Sequence, residues 1–183
     1  MPQGQNLARK IVFSGIQPSG YMHLGNYLGA VQNWVKLQGD ASINHNYFCV
    51  VDYHSITQKY IGIDLPEHVD GGLPEDPFEL NESVYSDGSP QELTLKTVAT
   101  LLACGINPSK STLFVQSHVS AHTELQWFLS SMTPLSWLNK MIQFKEKKAK
   151  QDKHTSLSLY SYPILMASDI LLYQATHVPV GDD

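Results

Sequence analysis

The sequence predicts an α/β fold with a mainly parallel sheet, because strand-like and helix-like segments alternate along most of its 183 residues. Short apolar runs at 10–14, 47–51 and 112–115 predict strands, each followed by a stretch with helical periodicity. The run at 47–51 is continuous rather than alternating, which is typical of a parallel strand covered on both faces. The chain is long enough to bury a hydrophobic core without disulfide support.

The first strand leads into a glycine-rich loop at 15–20 and then into a helix over 23–38. In that helix the apolar residues recur three and four positions apart. The second strand, at 47–51, places Asp52 and His54 at its carboxyl end. A helix over 91–104 is stopped by Gly105 and then by Pro108, the usual order at a helix end.

The second half of the chain continues the alternation. We predict the third strand at 112–115, helices at 121–131, 134–147 and 162–174, and a last short strand at 178–180. The residues after that strand, Gly181, Asp182 and Asp183, would lie at the same edge of the sheet as Asp52.

Charge is unevenly distributed. The net charge is −5, from 17 acidic and 12 basic residues, which on average disfavours a nucleic-acid-binding surface. However, nine of the acids lie within 61–95, a stretch without lysine or arginine, so the rest of the chain is mildly cationic. We interpret residues 60–90, which are acidic and rich in glycine and proline, as an insertion that builds little core.

Several classes of protein are disfavoured by composition. No apolar run approaches the roughly 18 to 20 residues that a membrane helix needs, so we expect no membrane association. Cys49 and Cys104 lie in segments predicted to be buried, as in a protein of a reducing compartment, and their spacing fits no zinc or redox motif. His118 and His122 share a helical spacing without a third ligand nearby, so we predict no metal site.

The loop at 15–26 contains the residues that the sequence marks as candidates for ligand binding. Gly15, Gly20 and Gly25 allow a ligand to approach the backbone closely. His23 and Asn26 add side-chain donors beside the free N–H groups of a helix start, where a phosphate is favoured. No P-loop pattern is present, and from these residues alone a simple tight turn remains an alternative.

The order of residues at 15–26, GIQPSGYMHLGN, resembles the first signature of class I aminoacyl-tRNA synthetases. Three further motifs resemble the tryptophanyl-tRNA synthetases of bacterial and mitochondrial type: QFKEK at 143–147, YPILMASDILLY at 162–173 and VPVGDD at 178–183. The resemblance covers nearly the whole chain except 60–90. It implies a Rossmann-like nucleotide-binding domain of the class I type.

That resemblance implies ATP-dependent activation of tryptophan to tryptophanyl-adenylate, with ATP and Mg²⁺ as cofactors, and transfer to tRNA-Trp. Catalysis of this kind rests on positioning and on stabilising charge on the phosphates. The implied catalytic residues are His23, Asn26 and Lys147. The implied ATP-binding residues are Gln17, Pro18, Ser19, Gly25, Asn26, Gly181, Asp182 and Asp183.

Tyr162, Met166 and Asp169 lie on one face of the predicted helix at 162–174. A core helix whose single aspartate faces solvent is the alternative interpretation. Asp169 has apolar neighbours, and a carboxylate in an apolar pocket is a strong acceptor for an indole N–H. The resemblance assigns Asp169 that role and implies a tryptophan pocket formed by Phe13, Gly15, His54, Tyr162, Met166, Asp169, Val178 and Val180.

The sequence ends where the family continues into its Lys-Met-Ser-Lys-Ser loop and its anticodon-binding domain, so we expect a partial catalytic domain over 1–183 that is inactive alone. The full-length protein is expected to be a homodimer. A tyrosine-specific synthetase and a non-catalytic fragment that binds a nucleotide or partner are the alternatives. Resemblance to mitochondrial members at 103–108 and 176–183 predicts the mitochondrial matrix, with the cytoplasm as alternative.

Overall fold

The computed structural model describes residues 9–20, 22–57, 89–141 and 156–180. Most of the predicted acidic insertion at 60–90 lies outside these ranges. Lys147 and the predicted nucleotide-binding residues 181–183 also lie outside the described residues.

Three strands form a parallel sheet in the order β1-β2-β3. They are β1 (Ile11–Ile16), β2 (His45–Val50) and β3 (Thr112–Val115). Gly15 on β1 pairs with Cys49 on β2, which in turn pairs with Phe114 on β3. The predicted class, an α/β fold with a parallel sheet, is therefore confirmed.

A fourth strand was expected at 178–180, and this prediction is wrong. The segment pairs with β1 one residue earlier, through a single parallel bridge between Val12 and His177. The Phe13 amide donates to the His177 carbonyl at 3.0 Å, and the Ser14 hydroxyl donates to the Pro179 carbonyl at 3.0 Å. Pro179 has no N–H with which to continue the ladder, so the strand stops there.

β1 therefore lies between β2 on one side and residues 176–179 on the other. Ligands of open α/β sheets bind beyond the carboxyl ends of the strands. This edge carries the loop at 15–20 and the segment leading to Gly181.

The helices are as follows. α1 covers residues 24–37 as three successive stretches, Leu24–Asn26, Tyr27–Val31 and Gln32–Leu37, the second of which is π-helical. The others are α2 (Asp52–Ile56), α3 (Pro90–Ala103), α4 (Ala121–Met132), α5 (Leu135–Leu138) and α6 (Leu157–Leu172), and a short 3₁₀ turn at Gln116–His118 follows β3.

The predicted helix at 134–147 is much shorter than expected, because α5 ends at Leu138. The amides of Lys140 and Met141 donate to carbonyls only three residues back, at Trp137 and Leu138. The chain thus tightens into turns instead of continuing the helix. Residues 142–147 of the predicted helix lie outside the described residues.

Two apolar layers hold the sheet. On one face, α1 and α3 pack against β1 and β2 through a core that includes Trp34 stacked on Phe48 and the fully buried Leu101. On the other face, Phe13 and Cys49 pack against Tyr173 just after α6. The sheet is therefore covered on both faces, which explains the continuous apolar character of β2.

α6 is the longest described helix, with 16 residues, and it packs along α4. The Ser156 hydroxyl caps its start by accepting from the Leu159 amide at 3.1 Å. None of the described helices is long and apolar enough to cross a lipid bilayer.

Candidate active site

The predicted nucleotide end is built on the first turn of α1. The Nδ1 atom of His23 accepts from the Asn26 amide at 3.3 Å, and the Asn26 side-chain oxygen accepts from the His23 amide at 3.1 Å. These reciprocal bonds form a capping box made by histidine and asparagine. Because Nδ1 accepts, the proton of the neutral imidazole lies on Nε2, which remains available to donate.

Gly25 allows this arrangement. A Cβ atom at position 25 would lie 3.0 Å from the Cε1 and Nδ1 atoms of His23, closer than ordinary van der Waals contact. The absence of a side chain therefore lets the imidazole cover the start of the helix. Gly20 has a φ of 138°, a conformation that residues with a side chain rarely adopt.

The remaining predicted ATP residues of this loop follow β1 directly. Pro18 is buried, Gln17 is partly buried and Ser19 is exposed. The Ser19 amide donates to the Gln17 carbonyl at 2.9 Å, which closes a tight turn. The structure thus places Gln17, Pro18, Ser19 and the His23 cap on one connection between β1 and α1.

The π-helical stretch in α1 comes directly after Asn26. The Gln32 amide reaches back five residues, to the Tyr27 carbonyl. π-helical stretches are rare in proteins, and those that occur are often found at functional sites. The sequence pattern predicted a continuous helix over 23–38 and gave no sign of it.

Asp169 on α6 forms the second centre of the site and is only 2% exposed. Its Oδ1 atom lies 2.7 Å from His122 Nδ1 and 2.8 Å from Gln116 Nε2. Its Oδ2 atom lies 3.0 Å from His54 Nε2 and 3.0 Å from Gln116 Nε2. Three side chains from three different segments therefore converge on one carboxylate.

The surroundings of Asp169 correct the expectation of an apolar pocket. Burial acts to raise the pKa of Asp169, but hydrogen bonds from His122, His54 and Gln116 outweigh it and hold the pKa below its ordinary value of 3.8. A buried carboxylate without donors would be neutral rather than charged. Asp169 is therefore ionised at neutral pH and only accepts hydrogen bonds.

Gln116 is itself fixed at both ends. Its side-chain oxygen accepts from the Tyr53 amide at 3.2 Å at the start of α2, while its nitrogen donates to Asp169. Asp52 strengthens the same junction by accepting from the Ser117 amide at 3.0 Å. The carboxyl ends of β2 and β3 are thus connected, and Asp169 is bonded to that connection.

His122 connects Asp169 to a tyrosine. Its Nε2 atom lies 2.9 Å from the Tyr173 hydroxyl, and Phe114 stacks near the ring. Burial raises the pKa of Tyr173, with further contributions from Cys49, Asp169 and Tyr47, so the phenol stays protonated. Burial likewise raises the pKa of the Cys49 thiol.

The structure brings several predicted tryptophan residues together. His54 contacts both Asp169 and, edge to face, Tyr162, at a ring separation of 6.2 Å. Met166 lies on α6 between Tyr162 and Asp169 and is 36% exposed. The three residues that were predicted to share a helix face do so, with the tyrosine and aspartate buried and the methionine at the surface.

The other four predicted pocket residues lie along β1 and its neighbour. Phe13 is buried and stacks on Tyr173 at 5.4 Å. Gly15 comes so close to Val51 that an added Cβ would lie 2.8 Å from its Cγ1 atom. Val178 and Val180 flank Pro179, which is bonded to Ser14, and both valines are exposed.

Gln116 and Tyr173 were not predicted as site residues, and His122 was considered only as a metal ligand. Gln116 follows β3 directly, so the rule that singled out the residues after β1 and β2 could have found it. The spacing of His118 and His122 indicated at most a pair of metal ligands. The structure shows instead that His122 binds Asp169, which lies 47 residues further along the chain.

The family model for class I tRNA synthetases (W and Y) matches residues 5–64 and 86–183. The chain therefore belongs to the class I tRNA synthetases of the tryptophan and tyrosine group. The model leaves residues 65–85 unmatched, within the segment predicted to be an insertion.

Curated relatives narrow the likeness to the tryptophan branch. A tryptophan--tRNA ligase of Thermosynechococcus vestitus is 51% identical over 173 residues, which are 94% of this chain and 44% of that protein. A tryptophan--tRNA ligase of Prochlorococcus marinus is 47% identical over 177 residues, which are 97% of this chain and 44% of that protein. The chain thus spans under half the length of these relatives.

Solved structures agree on the fold. A tryptophanyl-tRNA synthetase from Campylobacter jejuni, complexed with ADP and tryptophan, matches with a TM-score of 0.71 and 35% identity over 94% of this chain and 45% of that one. A tyrosyl-tRNA synthetase from Archaeoglobus fulgidus matches with a TM-score of 0.63 at 17% identity, over 93% of this chain and 45% of that one. Because the tyrosine enzyme shares the fold, the fold alone does not decide the amino acid.

Proposed function

We propose that these 183 residues supply the tryptophan and ATP sites of an enzyme that activates L-tryptophan to tryptophanyl-adenylate and transfers it to tRNA-Trp. The observation that carries the proposal is the buried, ionised Asp169 at the carboxyl edge of the sheet, in a chain with 47–51% identity to tryptophan--tRNA ligases. The complete reaction belongs to a polypeptide of the relatives' length that contains these residues, called the full-length polypeptide below.

Asp169 would select the amino acid. The indole N–H is the one hydrogen-bonding group of the tryptophan side chain, and an ionised carboxylate is its strongest protein acceptor. Phenylalanine offers no donor and cannot make this bond to Asp169, and sites built to hydrogen-bond a substrate N–H or O–H discriminate strongly against an analogue that lacks it. Tyr162 would lie near the ammonium and carboxylate end of the substrate, and Phe13, Gly15, His54, Met166, Val178 and Val180 would line the pocket.

His23 and Asn26 would bind the phosphates of ATP. The Nε2–H of His23 and the free amides of the first turn of α1 supply donors without any covalent step. The tryptophan carboxylate attacks the α-phosphate, and pyrophosphate leaves with its electron pair. The protein contributes by aligning these groups and stabilising the negative charge, with Lys147, Gln17, Ser19 and residues 181–183 completing the ATP site.

Mg²⁺ is part of the proposal as a partner of ATP. Among the described residues no group of three histidine, cysteine, aspartate or glutamate side chains is arranged to hold a metal ion. Magnesium is commonly bound through substrate phosphates and few protein ligands, which fits this donor set. It would supply charge neutralisation on the phosphates.

We also propose that the full-length polypeptide is a homodimer. Five large apolar side chains on α4 and α5 are exposed, namely Trp127, Phe128, Met132, Leu135 and Trp137. Exposed apolar side chains concentrated on consecutive helices are typical of interaction sites in soluble proteins. A second copy is expected to cover them, and Trp127→Glu should shift sedimentation toward the monomer; a polypeptide that is monomeric without the substitution would contradict this.

The mitochondrial matrix is our proposed location, with the cytoplasm as alternative. It rests on the motifs at 103–108 and 176–183, since the curated relatives named above are bacterial and give it no support. Fractionation of cells that express the tagged full-length polypeptide would decide between the two.

Tryptophan-dependent exchange of pyrophosphate into ATP tests the central proposal in the full-length polypeptide. We expect exchange with tryptophan and a much lower rate with tyrosine at equal concentration. Exchange that prefers tyrosine would favour the tyrosine-specific alternative. The 183 residues alone are expected to charge no tRNA-Trp, and robust charging by them would contradict that expectation.

A further inference from the structure

The carboxylate of Asp169 has no spare acceptor position in this structure. A carboxylate offers about four lone-pair sites. His54, His122 and two contacts from Gln116 occupy them, at distances from 2.7 to 3.0 Å. If a ligand N–H is to bind Asp169, as the proposed function requires, one of these donors must move away.

The three donors are not equally replaceable. Gln116 and His122 are both 0% exposed, whereas His54 is 6% exposed and lies against Tyr162. Gln116 is also tied to the Tyr53 amide, and His122 is tied to the Tyr173 hydroxyl. His54 has the fewest constraints, so its position at Oδ2 is the one that a ligand can take.

Once a ligand has taken the position of His54, His122 and Gln116 are the donors that still hold the Asp169 carboxylate. Since the carboxylate only accepts, His122 Nδ1 carries the proton that it shares with Asp169, and its Nε2 is hydrogen-bonded to the Tyr173 hydroxyl. The phenol thereby fixes the ring orientation of His122. Tyr173 is itself held by stacking on Phe13 and by contact with Tyr47.

We propose that His122, oriented by Tyr173, is a positioning residue that holds the Asp169 carboxylate in place when a ligand N–H replaces His54. This inference rests on the proposed function of Asp169 and adds to it two side chains that need not touch tryptophan. His122 and Tyr173 act on amino-acid selection through Asp169 alone.

The test compares two ligands in the full-length polypeptide. One is tryptophan, and the other is 3-benzothienylalanine, in which sulfur replaces the indole N–H while the shape is largely kept. The ratio of their dissociation constants reports the bond to Asp169, and general loosening of the pocket changes both affinities together. For the unsubstituted polypeptide we expect tryptophan to bind roughly tenfold or more tightly, as for a bond to a buried charge.

The variants separate positioning from packing. His122→Phe keeps a ring beside Phe114 but removes both nitrogens, and we expect it to lower the ratio about fivefold. His122→Asn places an amide N–H where Nδ1 stood, and it should restore most of the ratio. Tyr173→Phe keeps the stacking rings and removes only the hydroxyl, so we expect a loss of about twofold.

Asp169→Ala separates the proposed role of Asp169 in tryptophan binding from the proposed role of His122 in positioning Asp169. If it abolishes the preference while His122→Phe and Tyr173→Phe both keep the unsubstituted ratio, the positioning inference is overturned and the role of Asp169 stands. If Asp169→Ala leaves the preference intact, the proposed role of Asp169 fails and the inference falls with it. Should His122→Phe fail to fold, the ratio in Tyr173→Phe decides, and an unchanged ratio there overturns the inference.

Discussion

The nucleotide end and the amino-acid end of the candidate site hold their polar groups in opposite ways. At the nucleotide end, His23 and Asn26 are bonded to each other across three residues and lie near the surface. At the amino-acid end, Asp169 is bonded to side chains 47, 53 and 115 residues away, and all are buried. The polar groups of the nucleotide end are positioned within a single loop, whereas those of the amino-acid end come together only when distant segments of the chain have packed.

This difference has a consequence for mutation. A locally built group can be removed without disturbing the rest of the structure, so its loss should affect catalysis and little else. A group built from distant elements connects those elements, so its loss should affect binding and stability together. The predictions below test this contrast, in order of decreasing effect.

His23→Ser should give the largest change in rate. Serine is a good helix N-cap, so the start of α1 and the free energy of unfolding should be kept. The imidazole Nε2–H is lost, and removal of one donor aimed at developing charge costs roughly 100-fold or more in rate. Tryptophan-dependent pyrophosphate exchange measures the loss.

His23→Ala is the matched variant for His23→Ser. It also removes the cap and should lower the free energy of unfolding by about 0.5–2 kcal/mol beyond the serine variant. Equal exchange rates in the unsubstituted and serine proteins would show that the imidazole serves only as a cap.

Asp169→Ala should weaken tryptophan binding by roughly 1 to 3 kcal/mol, the usual cost of removing a buried partner. It should also lower the free energy of unfolding, because His54, Gln116 and His122 lose their common acceptor. Calorimetric titration and urea unfolding measure the two effects. Unchanged affinity for tryptophan would contradict the role of Asp169, and unchanged stability would contradict the contrast between the two ends.

Acid should weaken the amino-acid end selectively. The pKa of Asp169 in the folded chain lies below its ordinary value of 3.8, so the carboxylate contributes stability that is fully present above that value. This stability is lost as the pH falls through the lower pKa of the folded state. His54, His122, Tyr173 and Cys49 are the titratable groups that face or lie near the carboxylate.

Urea unfolding between pH 7 and pH 2 measures the acid effect, with Asp169→Asn as control. The difference in free energy of unfolding between the two proteins should shrink toward low pH. A difference that stays constant across this range would contradict an ionised Asp169 in the folded chain.

The same contrast explains what could be predicted from the sequence. The parallel sheet, three of the four predicted strands and the loop that leads from β1 into α1 follow from local periodicity, and the structure bears them out. That Gln116 and His122 bind Asp169 could not be found this way, because they meet it only after β3, α4 and α6 have packed, although the position of Gln116 directly after β3 marks it as a candidate. Local patterns also missed the early end of α5 and the π-helical stretch, since both depend on how single turns close.

Two glycines of α1 provide the smallest and most local test. A Cβ at Gly25 would lie 3.0 Å from the His23 imidazole, whereas a Cβ at Gly29 would meet nothing within 4 Å. Gly29→Ala should therefore raise the free energy of unfolding by up to about 1 kcal/mol, the ordinary gain of alanine over glycine in a helix, and leave ATP affinity unchanged. Gly25→Ala should gain less stability and weaken ATP binding a few-fold, because the imidazole must shift from its place over the helix start. If both substitutions leave ATP affinity unchanged, the position of the imidazole does not matter for ATP, and the nucleotide end depends on the backbone amides of α1 instead.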